Sequence, residues 1–118
     1  MKLLEPGRIG NVEIKNRIVM AAMGAHGLHE PDGDWSERFI AYYEAWAAGG
    51  VGLITTEMTF VSQALEPFAK SLFNVASDKH LASMRRLAEI LHSYNCRLSI
   101  QLTAGFGRVV PFPVVPEG

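Results

Sequence analysis

The stretch Ile18-Val19-Met20 followed by Ala21-Ala22-Met23-Gly24 constrains the fold of this chain more than any other. The apolar run is of the kind shown by a strand buried on both faces. It then shrinks to small residues, which let a flat ligand lie against backbone. Beyond it lie a Pro31-Asp32-Gly33 turn and then a helical period. Strand, loop and helix in that order make a β/α unit. In barrels and doubly wound sheets the ligand sits at the C-terminal end of such a strand. Spacing alone leaves two readings of Ala-Ala-Met-Gly: a tight strand exit, or one wall of a site.

The remainder of the chain repeats the unit. Residues 9–16 alternate around Gly10-Asn11 and predict a short hairpin. A strand is expected over residues 17–22. A helix is expected from Ser36 to Ala48, with Ser36 as N-cap, Glu37 favourable in the first turn, and Gly49-Gly50 at its end. Its apolar face reads Phe39, Ile40, Tyr43, Trp46 and Ala47, more naturally core against a sheet than a ligand box. A second strand is expected over Val51 to Met58. A long connection with Pro67 follows, of the length that carries function or short elements of its own. The second helix should be capped by Ser77 or Asp78. Its stripe should be Leu81, Met84, Leu87, Ala88 and Leu91, and its stop Asn95. Arg85 and Arg86 fall on its solvated face. A third strand, Arg97 to Leu102, alternates polar and apolar residues.

The predicted order is therefore hairpin, βα, βα, β. The fold class is α/β, the N-terminal portion of a TIM (β/α)8 barrel, and residues 1–118 form one domain piece. Three parallel strands cannot close a barrel, which takes eight. The third strand would be left as an open edge. The chain is thus expected to pair with the missing remainder of a barrel, or to oligomerise.

Composition narrows the function classes. The 118 residues carry a formal net charge of −1, which gives no electrostatic case for nucleic acid or an anionic membrane. No apolar run reaches the roughly 20 residues of a membrane helix. The N-terminus lacks the apolar core and cleavage site of a signal peptide, so a cytoplasmic protein is expected. The single cysteine, Cys96, excludes a cysteine-built metal or iron–sulphur cage within this chain.

Few residues carry candidate chemistry. Gln101 lies opposite Leu98, Ile100 and Leu102 on an alternating strand. If those three pack on helices, its amide points into the barrel, where it needs partners for both its carbonyl and its NH2. Either a protein network or a ligand edge satisfies it. Met58 is adaptable and reads equally as core or as a ligand contact. His26, His29 and Glu30 do not form the helical H-E-x-x-H metal pattern, so no metal site is expected. His29 reads as a solvated loop residue. Gly105-Phe106-Gly107-Arg108 lacks the full dinucleotide fingerprint.

Three stretches, in this order and at these separations, resemble the Old Yellow Enzyme family of flavin reductases. They are Lys15-Asn16-Arg17-Ile18-Val19-Met20 with its Ala-Ala-Met-Gly exit, Gly50-Val51-Gly52-Leu53-Ile54-Thr55-Thr56-Glu57, and Ile100-Gln101-Leu102-Thr103-Ala104-Gly105-Phe106-Gly107-Arg108. The last is most similar to the branch holding 2-enoate, 2,4-dienoyl-CoA and bile-acid-inducible reductases. The resemblance implies an enzyme that takes hydride from NADH or NADPH onto FMN and passes it to an activated alkene. It places Ala22, Met23 and Gly24, with Ala21 beside them, against the flavin. It puts Met58 next to the ring, where the family usually has a smaller residue, and Gln101 on the pyrimidine edge. His26 falls near the substrate pocket. Gly24 stands where some members have a flavin-tuning cysteine or threonine.

The family's catalytic tyrosine, carbonyl donors and phosphate loops come later than these residues, so no catalytic residue is expected here. An iron–sulphur cluster and FAD, if the parent has them, would be bound elsewhere. By itself the 118-residue chain is expected to be inactive. The competing expectation is a non-catalytic barrel fragment that serves folding or association.

Overall fold

A computed structural model describes residues 1–25, 27–62 and 72–105. After a single 3-10 turn at Lys2–Leu4, an antiparallel hairpin pairs β1 (Gly7–Ile9) with β2 (Val12–Ile14). It turns at Gly10, whose φ of 56° suits glycine. The parallel sheet has the order β3 (Val19–Met20), β4 (Leu53–Phe60), β5 (Arg97–Thr103). Helix α1 (Glu37–Ala48) joins β3 to β4, and α2 (His80–Ser93) joins β4 to β5.

Local chemistry explains the helix ends. Ser36 is the N-cap of α1 and its Oγ accepts the Phe39 N–H at 3.2 Å. Both helices close with the same pair of backbone bonds, the Schellman arrangement. In α1, Gly50 N–H donates to Ala47 O and Val51 N–H to Trp46 O. In α2, Asn95 N–H donates to His92 O and Cys96 N–H to Leu91 O. The left-handed residue is Gly50 (φ 102°) in one and Asn95 (φ 53°) in the other.

Both helices cover one face of the sheet. Phe39, Tyr43, Ile54, Leu87, Leu91 and Cys96 are fully buried together, with Met20, Leu98 and Ile100 packed against them. Full burial of such side chains contributes about 1.5–3 kcal/mol each. Phe39 is the hub of an aromatic group, with ring centroids 4.7 Å from Tyr43, 4.4 Å from Phe73 and 5.0 Å from Trp35.

Several boundaries differ from expectation. Strand β3 keeps only two residues, because only Val19 and Met20 find register partners, Leu53 and Ile54. Strand β4 starts at Leu53 rather than Val51. Val51 N–H closes α1, and Gly52 N–H donates to Ile18 O just ahead of the ladder. It runs on to Phe60, because Phe60 pairs with Thr103 and bridges to Asn74.

Helix α2 is capped by neither Ser77 nor Asp78. Ser77 Oγ accepts the Lys79 N–H within the preceding turn, and the helix begins at His80. Its buried stripe is His80, Leu87 and Leu91, with Met84 half-buried, while Leu81 is 50% exposed. The stripe opens on a polar residue because His80 Nδ1 finds a partner, Asn74 O, at 2.7 Å. In α1, Trp46 is likewise 45% exposed, off the buried line through Phe39, Tyr43 and Ala47. Arg85 and Arg86 are exposed as expected, and Arg86 pairs with Glu37 of α1.

Buried Asn16 locks the strand layer to the helix turn. Its Nδ2 donates to Gly50 O at 2.7 Å and its Oδ1 accepts the Ile18 N–H at 3.1 Å. A Cβ on Gly52 would stand 2.5 Å from that Oδ1, so the close approach requires glycine. The hairpin is tied to the start of β5 by Arg97, whose Nε donates to Glu13 O at 3.0 Å.

Candidate cofactor site

The C-terminal ends of all three parallel strands open onto one cavity of about 660 Å³. Its wall takes Ala22, Met23 and Gly24 from the exit of β3, Glu57, Met58 and Phe60 from β4, and Gln101, Leu102 and Thr103 from β5. His29, Leu72, Phe73 and Gly105 complete it from the loops. This is the end of a parallel sheet at which ligands bind. The volume is in the ordinary range for small-molecule sites, roughly 300–1,000 Å³.

A bulge in β4 sets which side chains reach this wall. Thr55 pairs with Ser99, yet the next pair is Met58 with Gln101. Strand β4 thus advances three residues while β5 advances two, and the extra residue is a β-bulge. In a regular ladder Glu57 would have faced Gln101. With the bulge, Met58 takes that register position and Glu57 still lines the cavity. The displaced peptide is fully satisfied. Glu57 N–H donates to Tyr43 Oη at 3.0 Å, and Glu57 O accepts from Thr56 Oγ1 at 3.1 Å and Thr59 Oγ1 at 3.3 Å. Both threonines are fully buried, so their hydroxyls need such a partner. Burial pushes the Tyr43 hydroxyl up to about 12, against the pull of the Glu57 N–H.

The β3 exit loop is fastened to this bulge. Ala25 N–H donates to Glu57 Oε1 at 3.1 Å, from a carboxylate only 6% exposed. A second fastening joins the two strand-to-helix loops. Gly33, at φ 83°, accepts the Asn74 N–H at its carbonyl, and Asn74 Nδ2 donates to Asp32 O at 3.2 Å and Leu72 O at 3.0 Å. The Lys79 ammonium beside Asp32, at 2.5 Å, holds that carboxyl below its usual range, and the same contact raises Lys79. Phe73 and Leu72 are thereby set in the cavity wall.

Ala22, Met23, Gly24, Met58 and Gln101 are all brought to this cavity. His26 lies outside the described residues, as does Arg108. Leu98 and Ile100 pack on the helix side and Gln101 lies on the opposite side, exposed to the cavity. Leu102 departs from its expected place with those two: it is 58% exposed at the cavity rim, outside the helix-packed core. His29 is not a solvated loop residue. It is half-buried in the cavity wall, its ring edge-on to Phe73 at 5.2 Å and its Nδ1 3.1 Å from Glu30 O. The Pro31-Asp32-Gly33 turn brings it there by folding the loop back, with His29 bridged to Trp35. The turn is visible in the sequence, but the contact of His29 with Phe73, 44 residues later, is not. No local sequence signal marks Glu57, Phe60 or Phe73 as cavity residues, since their places depend on the bulge and on the loop contact.

Among the described residues no group of three His, Cys, Asp or Glu side chains converges as a metal site, and no helix is long and apolar enough to cross a membrane. Cys96 is buried, and burial raises its thiol.

Comparison with known proteins agrees with this architecture. The profile of the NADH:flavin oxidoreductase / NADH oxidase family matches residues 2–111. A cinnamate reductase of Clostridium sporogenes is 37% identical over 110 residues, 91% of this chain and 16% of that protein. An NADH oxidase of Thermoanaerobacter brockii is 39% identical over 123 residues, 95% of this chain and 19% of that one. The solved structure of the old yellow enzyme from Trypanosoma cruzi superposes with a TM-score of 0.71 at 27% identity, covering 86% of this chain and 26% of its own. The chain therefore spans only about a fifth of the length of these curated relatives. Its sheet and helices are the opening part of their (β/α)8 barrel. From the sheet order, the site at the strand ends and the profile match together, the chain belongs to the NADH:flavin oxidoreductase / NADH oxidase family, the Old Yellow Enzyme family, and covers its N-terminal part.

Proposed function

We propose that these residues form one wall of the FMN site in an NAD(P)H-dependent ene-reductase. The donor set fits the group. The small side chains of Ala22 and Gly24 leave room for a flat ring along the β3 exit. The side-chain amide of Gln101 makes no hydrogen bond among the described residues. It therefore offers a donor and an acceptor to the pyrimidine edge of a flavin. Met58, beside it in register, supplies an adaptable apolar surface. The observation that carries the reading is that pairing of Met58 with Gln101, next to the Ala22–Gly24 exit, at the C-terminal ends of parallel strands.

When bound, FMN supplies hydride transfer from a nicotinamide donor to an electron-poor C=C bond. The residues of this chain hold and orient it. Gln101 fixes the ring's rotation, Ala22 to Gly24 shape its bed, and Phe60 and Phe73 keep water from that end of the cavity. His26 is assigned to the substrate side by the family resemblance. The substrate class proposed is a conjugated acid, thioester or enone. The cinnamate reductase among the relatives is in keeping with it, and the NADH oxidase with a nicotinamide donor. Either NADH or NADPH serves the reading. The proton donor, the phosphate-binding loops and any iron–sulphur or FAD site are assigned outside these 118 residues. The chain alone is accordingly inactive, and the activity belongs to a completed barrel in the cytoplasm.

The test is FMN binding by the full-length protein carrying these residues, followed by flavin fluorescence. Gln101→Leu should stay folded and weaken FMN by about 1–3 kcal/mol, the cost of leaving a hydrogen-bonding partner unsatisfied. An unchanged dissociation constant in a folded variant sinks the assignment of Gln101. A full-length protein that binds no FMN favours the association-module reading instead.

A further inference from the structure

We propose that Tyr43 and Glu57 act as a positioning relay. The helix α1 hydroxyl fixes the β4 bulge, and the bulge carboxylate fixes the β3 exit loop that beds the flavin. The inference rests on the FMN reading above and assigns positioning roles to two residues, Tyr43 in the core and Glu57 in the cavity wall.

Three observations carry it. First, the bulge moves Met58 rather than Glu57 into register with Gln101. This frees the Glu57 carboxylate from the ladder position it would otherwise take. Second, the bulged N–H donates to Tyr43 Oη at 3.0 Å, from a side chain with no exposed surface. Tyr43 is held in turn by Phe39, at 4.7 Å between ring centroids. A strand irregularity anchored by a buried helix side chain cannot slip without breaking the core. Third, Glu57 Oε1 accepts the Ala25 N–H at 3.1 Å. That amide lies one residue beyond the Ala22–Gly24 bed, in a segment with no ladder partner of its own. A carboxylate accepting a backbone N–H makes a short-range, directional tie. The core of the β/α unit is thereby connected through two hydrogen bonds to the loop against which the cofactor lies. The role is positional, and what it asks of residue 57 is an acceptor oxygen for the Ala25 N–H.

The experiment uses the full-length protein and measures FMN affinity together with amide hydrogen exchange. Glu57→Gln keeps an acceptor oxygen. It should hold FMN within about threefold of wild type and keep the Ala25 amide protected. Glu57→Leu should weaken FMN at least tenfold and expose that amide. Tyr43→Phe should speed exchange at Glu57 and weaken FMN by an intermediate factor. Wild-type FMN affinity in a folded Glu57→Leu or Tyr43→Phe protein overturns the relay. So does a tenfold loss in Glu57→Gln with the Ala25 amide still protected, which would make the charge the active property. If Glu57→Leu does not fold, Tyr43→Phe and Glu57→Gln decide alone. If the wild type binds no FMN, the functional reading fails. The relay is then still judged on the Ala25 amide, whose protection Tyr43→Phe must reduce and Glu57→Gln must retain.

Discussion

On the helix side of the sheet Phe39, Tyr43, Ile54, Leu87 and Leu91 keep no exposed surface, whereas in the cavity wall Met23 and Leu102 each keep 58% of theirs. The same three strands supply both sides. The helix side is covered by α1 and α2, with Met20, Leu98 and Ile100 half-buried on the two edge strands. The cavity side has apolar surface and an amide, Gln101, without a partner among the described residues. Exposed apolar surface gathered at a strand end marks a place that a ligand or further chain covers. The contrast therefore separates residues that hold the unit together from those that give it a use.

The largest effect should come from the helix side. Phe39→Ala removes the ring that touches Trp35, Tyr43 and Phe73. It should cost about 3–5 kcal/mol, read from the urea midpoint of the full-length protein. A loss below about 1 kcal/mol would mean that the side chain repacks, contrary to the close packing of such interiors, and the two faces would not differ as argued. Next comes the loop contact beside the cavity. Gly33→Ala forces a left-handed backbone on alanine and sets its Cβ 2.1 Å from Asn74 Nδ2 and 2.2 Å from Leu72 O. A cost of about 1–3 kcal/mol is expected, with faster proteolysis around residues 72–74 as the local sign. If Gly33→Ala is neutral, the loops are not fastened to each other as described.

A pH titration sharpens the comparison from the helix side alone. Tyr43 sits at about 12 in the folded chain against an ordinary value of 10, because burial disfavours the phenolate. A raised acid binds its proton more tightly when folded. Its contribution to stability is thus complete below pH 10 and is lost as pH rises from 10 towards 12. Thermal unfolding scans across that window should show a steeper decline in wild type than in Tyr43→Phe; equal slopes would place Tyr43 in contact with solvent. The smallest change belongs to the cavity rim. Leu102→Gln should alter stability by no more than about 0.5 kcal/mol, as for other exposed positions. Light scattering should show whether it lowers self-association. A loss of several kcal/mol would show that Leu102 is core.

Features that depend on a few neighbouring residues were legible in the sequence. Ser36 capping Phe39, and Gly50 and Asn95 ending the helices, follow from side-chain oxygens and left-handed backbone, both local properties. The inward position of Gln101 was legible as well, because strand alternation places it opposite Leu98 and Ile100. The start of the α2 stripe is not legible in the sequence. A histidine at position 80 does not look like a core residue until Asn74, six residues earlier, provides a carbonyl for its ring. Leu81 looks like core by type alone, and so does Trp46. His29 and Phe73 are separated by 44 positions, and their contact exists only once the two loops meet.

The sequence by itself determined the alternation of strands and helices, the helix ends, the small residues at the β3 exit and the family. Each rests on periodicity, on backbone preference at single residues, or on motif order. The tertiary structure decided the β4 bulge, the pairing of Met58 with Gln101, the tie from Tyr43 through Glu57 to Ala25, and the fastening of Gly33 to Asn74. These rest on hydrogen-bond partners brought together from distant parts of the chain. A bulge changes the face of every later residue in its strand, and no local pattern in Thr55-Thr56-Glu57-Met58 records where the extra residue falls.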